Sequence, residues 1–343
     1  MFEILVSLCL VAQPDLCQTR LVPVDAPDCG IALTRAAEIA PDWGPGFVAG
    51  MPECVPRRAS TLAFSEIAPG VYVHRGQIAD VAPGNLGDVA NIGFVIGRDS
   101  VAVIDSGGSR AIGEQVYLAV RAVTSKPISH MILTHMHPDH VFGATVLAEA
   151  GAEIIGHRKL PQALNARAET YESNFARLIG PGFGASRTPL AITGIAGTGV
   201  IDLGDRALSL VARETAHSES DLTVFDTATA TLFAGDLLFD EHSPALDGSL
   251  LGWLRVLDGM GMPPPARVVP GHGGPVMGWP EGSEALRRYL ETLRDETRTA
   301  ISDGLRLSEA VAKVGQGEAG NWRLFELFHR RNVTAAFTEL EWE

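Results

Sequence analysis

No cysteine follows Cys54 in this chain of 343 residues; all four, Cys9, Cys17, Cys29 and Cys54, lie near its start. None forms a C-x-x-C pair, which argues against a thiolate metal site. Two readings stay open: one or two disulfides closing a small module in an oxidising compartment such as a periplasm, or four reduced thiols in a cytosolic protein. The chain also lacks an apolar run long enough to span a bilayer, so no transmembrane segment is expected. Phe2 to Ala12 mimics the apolar core of an export signal, but Glu3 stands where a basic residue belongs and Leu10-Val11-Ala12 is a poor cleavage site. Positive charge is scarce, with 27 Lys and Arg against 41 Asp and Glu, a net charge of −14. Such a surface repels phosphate backbones and anionic membranes, so nucleic acid is not an expected partner. There is no G-x-S-x-G elbow for a serine nucleophile. No internal repeat or low-complexity tract appears.

What is present suffices for a sizeable core, since 46% of the residues are apolar. The Pro and Arg content from Pro52 to Ser60 reads as a linker, dividing a small Cys-containing module, residues 1–58, from a main domain, 59–343. The main domain opens with strands: Val71 to Val73, then Asn91 to Ile96 and Val101 to Ile104 paired across the Gly97-Arg98-Asp99-Ser100 turn. A helix from Ala111 to Val123 precedes a buried strand, Ile128 to Leu133. That strand delivers Thr134-His135-Met136-His137-Pro138-Asp139-His140. Three imidazoles and a carboxylate crowd a strand exit ahead of a helical stretch, Val141 to Ala150, where such a grouping has no packing purpose. Neutral imidazole and carboxylate are ligands that zinc accepts, and His135 and His137, two apart in an extended loop, can share one ion. Asp139 and His140 are then free to serve a second.

At these residues the sequence resembles the metallo-β-lactamase superfamily, and the order of motifs carries the resemblance through roughly residues 60 to 280. It implies an α/β (α+β) fold, the αββα sandwich of two mixed sheets with helices outside and metals at one edge. His217, after the Ala207 to Ala212 strand, takes the place of the third ligand to the first metal, with Asp221 a candidate supporting partner. Asp236, after the Leu222 to Phe225 and Thr231 to Ala234 hairpin, takes the place of a carboxylate bridging both cations. Superfamily β-lactamases lack that bridge, whereas glyoxalase II-like hydrolases carry it. His272, in Val268-Val269-Pro270-Gly271-His272, takes the place of the last ligand to the second metal. Asp105 resembles a carboxylate supporting the metal loop.

The resemblance therefore implies two zinc ions per chain: one held by His135, His137 and His217, the other by Asp139, His140 and His272, with Asp236 joining them. A bridging water acidified toward neutrality would attack an ester, thioester, lactone or amide of a small-molecule substrate, with Asp139 orienting it and shuttling its proton. The Cys-containing module and Asp247-Gly248-Ser249-Leu250-Leu251-Gly252-Trp253 look like the zinc metallohydrolases associated with quinoprotein (pyrroloquinoline quinone) oxidation, relatives of a sulfur-oxidation hydrolase. Alternatives are an iron-dependent sulfur dioxygenase, which keeps the same His pattern, a β-lactamase, and a non-catalytic accessory that binds a quinone or partner.

Other stretches carry expectations of their own. Arg167, Tyr171 and Asn174 on the Leu160 to Ile179 helix could line a substrate groove, but polar residues at helical spacing read first as a solvated face. Gly180 to Gly199, rich in Gly and Pro, reads as a loop placed to cover the site. Beyond Pro280 the chain turns helical, and Trp322, Phe325 and Phe328 read as core. His74, His130, His157, His242 and His329 lack the ligand pattern.

Overall fold

Strands buried on both faces show consecutive rather than alternating apolar residues. In the computed structural model, which describes residues 1–343, Val101–Ile104 and Thr231–Phe239 are such strands, with every residue buried. The chain begins with β1 (Phe2–Leu10), β2 (Gln13–Ala26), α1 (Cys29–Ile39), β3 (Phe47–Ala49) and β4 (Glu53–Pro56). The signal-like run is thus a strand, β1, which pairs with β2, β3 and β4. Alternate residues Ile4, Val6 and Leu8 turn inward with Ala32 and Ala36 of α1. Part of the expected Pro52 to Ser60 linker is β4, because its backbone completes the edge of β1. Disulfides join Cys9 to Cys17 and Cys29 to Cys54, and no cysteine is free.

The main body adds β5 (Phe64–Ala68), β6 (Val71–His74), β7 (Ile92–Ile96), β8 (Val101–Ile104), α2 (Arg110–Val123), β9 (Ile128–Ile132), α3 (Pro138–Val141), α4 (Ala144–Glu149), β10 (Glu153–His157), α5 (Leu160–Ile179) and β11 (Thr193–Ile195). It continues through β12 (Thr198–Asp202), β13 (Ala207–Ala212), β14 (Leu222–Asp226), β15 (Thr231–Phe239), α6 (Leu250–Gly259), β16 (Arg267–His272), α7 (Glu284–Ser302), α8 (Leu307–Lys313) and α9 (Phe325–Leu340). One sheet has seven strands in the order β11-β10-β9-β8-β7-β6-β5, the other five in the order β12-β13-β14-β15-β16. Both are mixed, antiparallel on one side and parallel at β8-β9-β10-β11 and β15-β16. Val71, Val95, Ile104 and Ile132 of the first meet Leu208, Leu210, Val224 and Phe233 of the second in the central core. The first sheet's outer face is covered by α2, α4 and α5 through Val116, Val120, Leu147 and Leu164. The second is covered by α6, α7 and α9 through Trp253, Leu290, Leu293 and Val333. This is the αββα sandwich.

Two segments differ from the sequence reading. The helical stretch after the metal motif is broken at Phe142–Gly143, where the Gly143 N–H turns to the Gly107 carbonyl (3.1 Å) instead of continuing the helix. Gly180 to Gly199 is not a loop throughout, because Thr193–Ile195 pairs with β10 as β11 and β12 begins at Thr198, and none of it borders the cavity over the site. Its first residues lie against the N-terminal module, where Arg20 donates to the Gly182 and Gly184 carbonyls (2.8 and 3.1 Å).

Candidate metal centre

Three strand exits and the middle of β15 converge at one edge of the sandwich. The loop after β9 carries His135 and His137, α3 carries Asp139 and His140, the β13–β14 loop carries His217, and β15 and β16 supply Asp236 and His272. Glycine makes the approach of the last two strands possible. A Cβ on Gly235, at φ +54°, would sit 2.7 Å from the Thr134 side chain, and one on Gly271 would sit 1.9 Å from Asp236 Oδ1.

Two groups of donor atoms result, each drawn together to within 4.8 Å: His135, His137, His217 and Asp236 in one, Asp139, His140 and His272 in the other. In the first, His137 Nδ1 lies 3.0 Å from His135 Nε2 and 2.8 Å from His217 Nε2. In the second, His272 Nε2 lies 3.4 Å from both His140 Nε2 and Asp139 Oδ2. A tetrahedral zinc with bonds of about 2.0–2.1 Å sets its ligand atoms about 3.3 Å apart. Asp236 stands between the groups. Its Oδ2 is 3.4 Å from both His217 Nε2 and His272 Nε2, and its Oδ1 is 3.2 Å from His140 Nε2. All seven side chains expected from the sequence are therefore brought together.

Each ring's outward nitrogen is engaged, which fixes its orientation and leaves the inward nitrogen aimed at the centre. His135 Nδ1 meets the Thr134 hydroxyl oxygen (3.0 Å), whose own proton goes to Asp105 Oδ2 (2.8 Å). His140 Nδ1 meets Asp105 Oδ2 (2.8 Å), so Asp105 supports the loop as expected. His217 Nδ1 meets the Ala245 carbonyl (2.6 Å) and His272 Nδ1 the Val89 carbonyl (2.9 Å). His137 Nε2 meets Asp247 Oδ2 (3.1 Å), which also pairs with Arg167. Asp221 does not reach His217. It accepts from the Ser218 amide and hydroxyl (2.9 and 2.6 Å), because its own loop offers nearer donors.

Charge follows burial and partners. Burial pushes the His217 imidazole down to about 3 and the His135 imidazole well below its ordinary value, so both are neutral donors of a lone pair. Burial opposes ionisation of Asp236, but the surrounding imidazoles outweigh it and hold the carboxyl well below the usual range. Burial likewise opposes Asp247, yet the His137 hydrogen bond and the Arg167 guanidinium bring it to about 2.

A cavity of about 1230 Å³ opens onto this centre. The sequence reading missed much of its wall. Arg167, Tyr171 and Asn174 line it, as the groove reading and not the preferred solvated-face reading has it, and so does Phe328, expected in the core. His242 lies with its ring 4.7 Å from that of His272 and 4.9 Å from that of Phe328. Trp322 and Phe325 are core, as expected.

Fold and site together define an αββα protein with two adjoining His/Asp groups able to hold metal ions. The chain belongs to the metallo-β-lactamase superfamily, a superfamily mostly of hydrolases, whose pattern it matches over residues 86–272. No curated protein matches it. Among solved structures, TMB-1 superposes with a TM-score of 0.52 at 19% identity, over 67% of this chain and 97% of that one. A metallo-β-lactamase from Pontibacter korlensis gives 0.54 at 17% identity, over 67% and 99%. The stereoselective inverting sec-alkylsulfatase Pisa1 from Pseudomonas sp. gives 0.62 at 17% identity, over 81% of this chain and half (50%) of that one. At these identities the likeness is one of fold alone.

Proposed function

We propose that the protein is a binuclear zinc hydrolase acting on an ester, thioester, lactone or similar carbonyl substrate. The observation that carries this reading is Asp236, a buried carboxylate among imidazoles whose Oδ1 accepts no hydrogen bond. Leaving a charged buried oxygen without a donor costs about 3 kcal/mol or more unless a cation takes the donor's place. In this reading His135, His137 and His217 hold one ion, Asp139, His140 and His272 hold the other, and Asp236 reaches both. Two such ions, when bound, supply a nucleophile from water at neutral pH and Lewis acidity toward the carbonyl oxygen.

The chain's own groups do the remaining work. Asp139 is less buried than Asp236 and faces the cavity, where its carboxylate orients the attacking water and takes its proton. Asp105, Thr134 and Asp247 hold the rings that must not turn. Phe239, Leu246 and Phe328 give the cavity an apolar wall that seats the body of a substrate.

Two features favour a narrower placement with the zinc metallohydrolases of quinoprotein oxidation. One is the N-terminal module with its two disulfides, read here as residues 1–58 ahead of a catalytic domain at 59–343. The other is the stretch Asp247 to Trp253, which begins on His137 and ends with Trp253 edge-on to His217, ring centroids 5.3 Å apart. Disulfides persist in oxidising compartments, which supports a periplasmic location. Elemental analysis of the purified protein, alongside thioester, lactone, sulfate-ester and β-lactam substrates, tests the whole reading. Two zinc ions per chain with turnover of carbonyl substrates and poor turnover of β-lactams is the expected result. One tightly bound iron and no zinc would send the protein to the oxygenase class.

A further inference from the structure

The cavity's two helical walls come from opposite layers of the sandwich. On α5, Arg167, Tyr171, Asn174 and Leu178 recur every three or four residues, and on α9 so do Phe328, Arg331, Thr334 and Thr338. Five acidic residues line the cavity, and four are already committed. Asp139 and Asp236 face the imidazoles, Asp247 pairs with His137 and Arg167, and Glu339 accepts from the amides that open α6. Asp80, which accepts from the Val81 amide, remains.

The arginines are in the opposite condition. Arg177, Arg330 and Arg331 line the same cavity and none appears in an ion pair. In a chain with 41 acidic against 27 basic side chains, Arg98, Arg255, Arg287, Arg294 and Arg298 find carboxylates, whereas other exposed arginines, such as Arg158 and Arg306, do not; what sets Arg177, Arg330 and Arg331 apart is that they border one cavity. Three uncommitted guanidiniums at one cavity make a local positive patch on an acidic molecule. Guanidinium matches a carboxylate or similar oxyanion bidentately.

The position of this patch sets the shape of what it recognises. Phe328 touches His242, which touches His272. Arg331 follows Phe328 by three residues, about 4.5 Å along the helix axis. An anion held there lies one short apolar span from the reacting centre, with Phe328 between the two and Leu246 in the same cavity wall.

We propose that the substrate carries an anionic group, separate from the bond that is cleaved, at the end of an apolar segment, and that Arg331 with Arg330 on α9 and Arg177 on α5 binds that group. This inference rests on the hydrolase reading for the identity of the reacting centre. A matched pair of activated esters tests it: the 4-nitrophenyl ester of octanoic acid and the mono-4-nitrophenyl ester of suberic acid, equal in length and differing by a terminal carboxylate. The zinc-loaded full-length protein should favour the suberate ester by about tenfold or more in kcat/KM, as for a charge-assisted hydrogen bond. In Arg330→Ala/Arg331→Ala that ratio should fall below about threefold, since the loss of one such bond removes roughly a factor of ten, and Arg331→Lys should restore part of it. Alanine is favourable in an exposed helix, so the double variant should keep the fold, which circular dichroism checks.

A second readout does not depend on turnover. By calorimetry, suberate should bind more tightly than octanoate to the parent protein, and in the double variant, which keeps only Arg177, that advantage should fall below about threefold. Equal kcat/KM for the two esters in the parent protein, or a preference that survives the double variant, overturns the inference while leaving the hydrolase reading in place. Failure of both esters to turn over, with suberate still favoured through the arginines, overturns the hydrolase reading and supports the anion site.

Discussion

In the proposed binuclear reading, Asp236→Ala removes the carboxylate that the two ligand groups would share. Two dications a few Å apart repel strongly, and the bridging charge offsets part of that repulsion while fixing their separation. Asp139, His140 and His272 alone would face an uncompensated neighbour, so metal should leave that group first. Turnover should drop by roughly 10²-fold or more, as when a positioned nucleophile is lost, with the fold unchanged by circular dichroism. Elemental analysis showing both ions retained, together with near-normal turnover, would falsify the bridging role. In the same reading Asp247 would act through His137, whose Nε2 it meets, and not on the substrate. Without it the His137 ring loses its Nε2 partner, and metal affinity should weaken by about 10- to 100-fold in Asp247→Ala. In Asp247→Asn, whose amide oxygen still accepts from the ring, the loss should be smaller. Chelator competition measures both, and equal affinities for the two variants would remove the hydrogen bond from the explanation.

At the scale of elements, what the sequence made legible is what chain neighbours or strand ends determine. His135, His137, Asp139 and His140 lie within one loop and the helix it enters, and His272 ends an apolar strand, so pattern locates them. The wall of the cavity is different. Arg167 and Tyr171 on α5 look like any polar helix face, and only α9, arriving from the other layer far downstream, makes that face one side of a cleft. His242 follows Asp240 and Glu241 without the spacing of the metal motif, and it approaches His272 through the fold alone. The β1 strand was disguised for a related reason: its apolar residues match an export core until the pairing with β2 and β4 shows what they pack on. The two disulfides yield a prediction at this scale. Thiol titration of unfolded, unreduced protein from its native compartment should find no free thiol. Cys29→Ser/Cys54→Ser should destabilise the N-terminal module by about 3 kcal/mol through the 25-residue separation it reopens. Hydrogen exchange should rise in β1, β2 and α1 more than in β8 or β15. Equal loss of protection in both regions would mean the module does not loosen by itself.

For the whole molecule, stability should depend on pH through a pair away from the metal ligands. His74, on β6, bonds Asp88 Oδ1 through Nε2 (2.7 Å) and the Ala63 carbonyl through Nδ1 (2.9 Å), and both His74 and Asp88 are buried. Burial alone would lower this imidazole, but the Asp88 hydrogen bond and charge outweigh it and raise it above its ordinary value. A raised histidine binds its proton more tightly folded than unfolded, so stability falls as pH rises across the interval between the two values. The contribution is complete below an unfolded value of about 6.5 and is gone above the raised folded one. His74→Gln keeps a neutral amide near Asp88 and removes the charge. Against the parent protein, with chelator added to both so that metal loss at low pH does not intrude, it should be less stable by about 1–2 kcal/mol at acidic pH, the worth of a hydrogen bond to a charged group. At alkaline pH the two melting temperatures should converge. A gap that stays constant from acidic to alkaline pH, or that widens as pH rises, would show that His74 contributes packing and not charge.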